Sequence, residues 1–213
     1  MLTNFSANGL ILERVLKKNL VHIPSKFTVP NEINSMSYCL PASDQSDYPA
    51  CVGYATAGYC EVQKWKHTHI AKQIDGLKLY KEAKRIEGTN DDGTTLRAGA
   101  QAAINLGYAK GKIENLDCRL DVQFALHRWD VCVGAFHITD GWNDCSRRTG
   151  KIPELNRKSK YIGYHGIVFC GYNLKGLWIQ NSWPDWGLNG EGFAFLSWKQ
   201  FDADFEGGVI IEK

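Results

Sequence analysis

The chain has 213 residues, 44% of them hydrophobic and 23% charged, with a formal net charge of +2. That length holds one domain or two small ones, with a core that needs no metal or disulfide staple. The composition excludes a disordered or collagen-like chain, and so small a charge gives no reason to expect nucleic acid or a membrane surface as a partner.

The first twenty residues carry Glu13, Lys17 and Lys18 where an export signal needs an unbroken apolar segment. No apolar run approaches the roughly 18 residues that cross a bilayer. A cytoplasmic location follows as the expectation. Within the lead-in, Leu12, Val15, Leu16 and Leu20 recur at helical spacing and stop before Pro24. Residues 24–50 hold Pro24, Pro30, Pro41 and Pro49 among polar residues and read as an extended, irregular crossing. A helix is expected from Cys51 to about Lys66, and a second over about 76–87, closed by Gly88 as a left-handed cap. Leu96, Ala100, Ala103 and Ile104 mark a third helix, closed by Gly107, and Val122, Ala125, Leu126 and Trp129 mark a fourth.

Beyond residue 130 the period changes. Short apolar runs at 131–136, 166–172, 177–180, 192–196 and 208–211, bounded by Gly, Asn and Asp, read as strands of a mainly antiparallel sheet. The polar stretch 137–160 reads as a long surface loop. Helices first and strands second predict an α+β protein with a cleft between its halves.

Seven cysteines, an odd number with no CxxC pair, predict free thiols in a reducing compartment rather than a disulfide framework or a common zinc site. His67 and His69 with a distant cysteine keep a metal site open. The chemistry is expected elsewhere. A nucleophilic cysteine needs a lowered thiol pKa, a nearby base, a group orienting that base, and donors for an oxyanion. Cys51 stands where the polar loop DQSDYPA meets a predicted helix, whose N-terminus favours a thiolate. Gln45 lies six residues before it, His165 opens the run HGIVFCGYN, and Asn181 ends the next strand in WIQNSW.

This combination resembles the papain-like cysteine peptidases. Its pieces are Asp44-Gln45, Cys51, His165 with Gly171-Tyr172, Asn181-Ser182-Trp183, Trp186-Gly187, and Gly190 and Gly192 where the terminal strand begins. They keep the family's chain order from about Val29 to the C-terminus, and LYKEAKRIEGTNDDGTTLRAGAQAAINLGY looks like the cleft loop and helix of bacterial and viral members. The resemblance implies a lead-in over 1–28 and a peptidase domain over 29–213, helical over about 45–130 and an antiparallel sheet over about 131–213. It implies no cofactor, an extended polypeptide as substrate, and a thiol-dependent endopeptidase. His165 would take the Cys51 proton, Asn181 would fix the imidazole, Trp183 would shield that bond, and Gln45 with the Cys51 amide would hold the oxyanion. Asp92, Gly93 and Thr94 would pair with substrate backbone. Tyr164 would face the main specificity subsite, with Gly134 and Ala135 on the neighbouring strand, and an apolar residue second from the cut is the expected preference.

The departures are local. Tyr48-Pro49-Ala50-Cys51-Val52 replaces the family's Cys-Gly-Ser-Cys-Trp, so its usual disulfide there is missing, and Pro184 replaces a glycine. His165 and Asn181 follow Cys51 by 114 and 130 residues, which is a trimmed spacing. The family's inhibitory prosegment is not evident in the residues that precede the match. These departures keep two alternatives open: a papain-fold protein used for binding or assembly, such as a phage or viral (virion-associated) component with a protein partner, and a transamidase that hands the acyl group to an amine.

Overall fold

A computed structural model describes residues 9–12, 19–156 and 158–212. The expected lead-in helix falls mostly on residues 13–18, outside the described ones.

Residues 24–50 cross the molecule with little regular structure, as their prolines dictate, apart from the two-residue strand β1 (Ile33–Asn34) and a single 3-10 turn at Met36–Tyr38. Four helices follow: α1 (Cys51–Thr68), α2 (Gly76–Glu87), α3 (Leu96–Asn105) and α4 (Arg119–Trp129). Side-chain caps set two of their starts. Asp75 accepts the Lys78 amide at 3.0 Å and Thr95 accepts that of Ala98 at 3.1 Å. Gly88 closes α2 at φ +66°, as expected of a left-handed cap.

Helix α1 is the central one, and its composition explains how. It is buried over most of its length through small residues, among them Gly53, Ala55, Ala57 and Cys60. A Cβ on Gly53 would run into the Gly76 carbonyl oxygen and Tyr80, so α2 approaches backbone to backbone at this point. On its other side α1 packs against β4 (Tyr161–Asn173), where Gly58 meets Val168.

The sheet is antiparallel throughout. Its further strands are β2 (Lys112–Leu116), β3 (Cys132–Thr139), β5 (Gly176–Gln180), β6 (Phe193–Ser197) and β7 (Phe205–Glu212), in the order β2-β7-β3-β4-β5-β6 with β1 added on β4. A short helix, α5 (Trp198–Asp204), links the last two strands. Mixed helix and antiparallel sheet match the α+β expectation, with two differences. Strand β2 belongs to the sheet although it lies within the helical stretch of the sequence, and α5 was not expected. The region 137–160 is also more than a surface loop. Strand β3 runs on to Thr139, and Trp142, in the 3-10 turn that follows, is fully buried.

Candidate active site

Cys51 is the first residue of α1, so its amide is one of those a helix leaves without an internal partner. Its Sγ lies against β4 and accepts the Gly166 amide at 3.3 Å. The residue before Gly166 is His165, and its Nε2 meets Asn181 Oδ1 at 2.8 Å. Asn181 Oδ1 also accepts the Ser182 amide at 2.8 Å, which fixes the oxygen toward the ring. The other ring nitrogen, Nδ1, is buried and makes no hydrogen bond. Trp183 tilts over the imidazole with centroids 4.8 Å apart, and Trp142 stands edge-on at 6.4 Å. The His–Asn bond therefore lies inside an aromatic cage. Pro184 is accommodated: Asp185 and Gly187 turn the chain at positive φ, and Trp186 Nε1 donates to the Trp142 carbonyl at 2.7 Å.

Gln45 is fully buried and held at three points. Its amide donates to the Ser182 carbonyl at 3.1 Å, its Oε1 accepts from the Ser182 hydroxyl at 2.6 Å, and its Nε2 donates to the Tyr48 carbonyl at 3.1 Å. Nε2 carries a second hydrogen besides the one given to Tyr48. Pro49 sits between Tyr48 and the helix without removing any donor from this set. The structure thus brings Gln45, Cys51, His165 and Asn181 together from four separate segments: the crossing, α1, β4 and the turn after β5.

The cleft is not open. Gly9–Leu12 crosses it and pairs with Thr94 in parallel: the Thr94 amide donates to the Gly9 carbonyl at 3.2 Å and the Ile11 amide to the Thr94 carbonyl at 3.0 Å. A Cβ on Gly9 would lie 2.6 Å from Cys51 Sγ and 3.0 Å from its nitrogen, so the backbone there passes directly over the sulfur. Leu10 joins Cys51, Val52 and Ala135 in a small apolar cluster apart from the main core, with Leu96 and Tyr164 packed against it. Cys51 has no exposed surface, and neither has His165, against which Trp142 and Trp183 pack.

Burial decides their charge. Desolvation pushes the Cys51 thiol up to about 12, outweighing the Gly166 hydrogen bond that favours the thiolate. It pushes His165 down to about 4, against the opposing pull of Asn181. The sequence leads one to expect an exposed, low-pKa thiolate on the cleft floor. In the covered arrangement the pair is neutral, because the segment over Cys51 and the tryptophan rings against His165 exclude the water that would stabilise both charges.

Of the expected cleft residues, Thr94 is buried under the segment, Gly93 turns the loop at φ +84°, and Asp92 is exposed beside them. Gly134 is a correction. A side chain there would run into the Phe169 ring in the core, because alternation along β3 turns Ala135, and not Gly134, to the cleft. Trp183 is only 1% exposed and covers the imidazole instead of lining the cleft surface. Among the described residues, no three His, Cys, Asp or Glu side chains come together as metal ligands. His67 ends α1 and His69 packs edge-on to Trp65.

Sequence reasoning missed several contributors. Ser182, which anchors Gln45, lay inside the quoted NSW run. Glu87 pins the cleft loop through Thr94 Oγ1 at 2.7 Å and the Thr95 amide at 2.8 Å, and nothing local signals it. Gly9 and Leu10 act across more than forty residues of chain.

No protein-family model matches the sequence, and no curated protein is similar enough in sequence to count as a relative. Solved structures do match. Xylellain, a cysteine protease from Xylella fastidiosa, is 15% identical over 98% of this chain and 97% of its own, with a TM-score of 0.78. Procathepsin B S9 from Trypanosoma congolense is 11% identical over 97% and 86%, at 0.72. The digestive procathepsin L 3 of Tenebrio molitor larval midgut is 13% identical over 97% and 76%, also at 0.72. Such identities carry the architecture and nothing finer: the chain has the papain-like fold of these cysteine proteases.

Proposed function

We propose that the protein is a thiol peptidase that cleaves peptide bonds through a Cys51 acyl-enzyme. The observation that carries this reading is the imidazole of His165, fixed at Nε2 by Asn181 at 2.8 Å and left unbonded at Nδ1, one residue from the amide that holds the Cys51 sulfur. Nδ1 takes the Sγ proton, and the thiolate attacks the substrate carbonyl carbon. The oxyanion is received by the Cys51 amide and Gln45 Nε2; loss of one such donor typically costs about 10²–10³ in rate. The carbon–nitrogen bond breaks as His165 returns the proton to the leaving amine. Water then attacks the thioester, giving its proton to His165, and the carboxylic acid and the thiol are released. The strand-like pairing already made with Thr94 supports an extended polypeptide as substrate. Seven free thiols fit a cytoplasmic, reducing setting.

Substrate can enter only when Gly9–Leu12 lifts away, whether spontaneously or because a protein partner binds it. The test is turnover of a fluorogenic peptide amide carrying leucine second from the cut. The full chain is compared with Leu10→Asp, which places a charge in the apolar cluster and ejects the segment. Turnover in Leu10→Asp, abolished by adding Cys51→Ala, is the expected result; a folded Leu10→Asp chain that neither turns over nor forms an acyl-enzyme overturns the reading. The complete covering of Cys51 and His165 favours a second reading, a papain-fold binding or assembly component, and that silent outcome would select it. Mass spectrometry of products with an added amine separates hydrolysis from transamidation.

A further inference from the structure

Beside the cleft, three aromatic rings stack in a row that the peptidase mechanism does not use. His137 lies face to face with Tyr161, centroids 3.9 Å apart and planes 17° from parallel, and with Tyr164 on its other side at 4.4 Å and 27°. The far end is anchored: the Tyr161 hydroxyl donates to Asp204 Oδ1 at 2.9 Å, and Asp204 is only 2% exposed. Tyr161 is half exposed, so burial alone does not hold its ring in place.

Sheet register places this row. Ala135 pairs with Gly166, whose amide holds the Cys51 sulfur, and His137 pairs with Tyr164 one rung along the same face. Ala135 belongs to the apolar cluster that Leu10 enters, and Tyr164 packs against that cluster. The near end of the row therefore walls the apolar cluster beside Cys51, and the side chain lodged in that cluster is a leucine.

We propose that His137 is a positioning residue for substrate selection, holding the Tyr164 ring as a fixed wall so that the pocket accepts a leucine-sized side chain and disfavours a larger aromatic one. This rests on the peptidase reading, since selection presupposes a substrate. The argument is steric and directional. A tyrosine on a strand edge has rotamers that swing its ring away from the sheet, and a flat partner on its far face removes them at a cost that stacked pairs can meet. Imidazole suits the place because it is flat and narrow enough to fit between two rings.

The experiment reads a ratio and a rate. In the Leu10→Asp background, kcat/KM is measured for two peptide amides that differ only in leucine or phenylalanine second from the cut, for His137, His137→Ala and His137→Phe. The expected result is a roughly three- to tenfold fall in the leucine-to-phenylalanine ratio in His137→Ala, restored in His137→Phe, whose ring stacks in the same way. A general loss of structure would lower both substrates together and leave the ratio alone. The second arm needs no turnover. In the otherwise unaltered chain, His137→Ala should speed iodoacetamide labelling of Cys51 by a similar factor, because Leu10 uses the same pocket, and His137→Phe should not. Labelling that responds in a chain without turnover would sink the peptidase reading and with it substrate selection, leaving His137 only as a support for the Leu10 cluster. Unchanged labelling together with an unchanged ratio would overturn the wall and leave the peptidase reading standing.

Discussion

Replacing Gly9 by alanine tests whether the covering segment governs access to Cys51. The new Cβ would stand 2.6 Å from Cys51 Sγ, 2.9 Å from the Pro49 carbonyl carbon and 3.0 Å from the Cys51 nitrogen. The last two are backbone atoms of the turn that leads into α1 and do not give way, so the segment must rise. What holds it down is modest. Two backbone hydrogen bonds contribute about 0.5–1.5 kcal/mol each, and burial of Leu10 about 1.5–3 kcal/mol, against about 1–2 kcal/mol per residue for ordering the four residues Gly9–Leu12. Within these ranges the covered form is favoured by at most about 2 kcal/mol, which leaves an open fraction of about 3%. From there an overpacking cost of about 1–3 kcal/mol should raise the open fraction roughly 5- to 25-fold, levelling off as the open form predominates. The assay is the rate of iodoacetamide labelling at each cysteine, followed by peptide mapping at about pH 8. Cys51 should label faster by that factor in Gly9→Ala, and Leu10→Ala should shift it the same way. Cys60, Cys132 and Cys170, buried in the main core, should not change. If Gly9→Ala labels Cys51 at the original rate, the segment does not control access and the reasoning fails.

Three smaller tests follow from single contacts. Ser182→Ala removes the 2.6 Å bond to Gln45 Oε1 and should lower kcat about tenfold in the open variant, less than Gln45→Ala at about 10²–10³; equal losses would mean that Gln45 acts only through the fold. Gly53→Ala would press against the Gly76 carbonyl and should cost about 1–3 kcal/mol, roughly 2–12 °C in Tm by calorimetry; an unchanged Tm would show that α1 and α2 separate easily. His165, pushed down to about 4 by burial, favours the folded covered form while neutral. That contribution is intact above its ordinary value of 6.5, is lost as pH falls through about 4, and amounts to about 3 kcal/mol at most. Urea midpoints between pH 7 and 4 should therefore fall more steeply for this chain than for His165→Gln; parallel curves would contradict it.

The helices and most strands were legible because each repeats its own period. Leu96, Ala100, Ala103 and Ile104 could form only one apolar face, and α3 occupies Leu96–Asn105. Elements too short to repeat were not legible. Strand β2 has five residues, its lysine, glutamate and asparagine interrupting the apolar pattern, and only pairing with β7 identifies it. Helix α5 has seven residues, fewer than two full turns of any pattern. Trp142 sits in a run rich in Asp, Asn and Arg, and it is core because Phe136, from the preceding strand, and Trp186, from a turn far along the chain, meet it.

The candidate site divides along the same line. Gln45, Cys51, His165 and Asn181 could be named because their order and spacing resemble those of the papain-like peptidases; Cys51 does open α1 and Asn181 follows β5, whereas His165 lies inside β4 and Gln45 in the irregular crossing. Their state could not be named. Reading Cys51 as a thiolate weighed a helix N-terminus, a local feature, and that feature does favour the charge. The opposing influence is desolvation, which depends on whatever lies over the sulfur, and Gly9 is separated from Cys51 by the whole crossing of residues 24–50. A glycine in the run NGLIL carries no mark of that contact; its lack of a side chain matters only once the fold sets it against Sγ. The location of a nucleophile is therefore a local property of this sequence, and its reactivity a long-range one. On the proposed peptidase reading, lifting the segment is the step that lets water reach Cys51 and weakens the desolvation that keeps its thiol protonated.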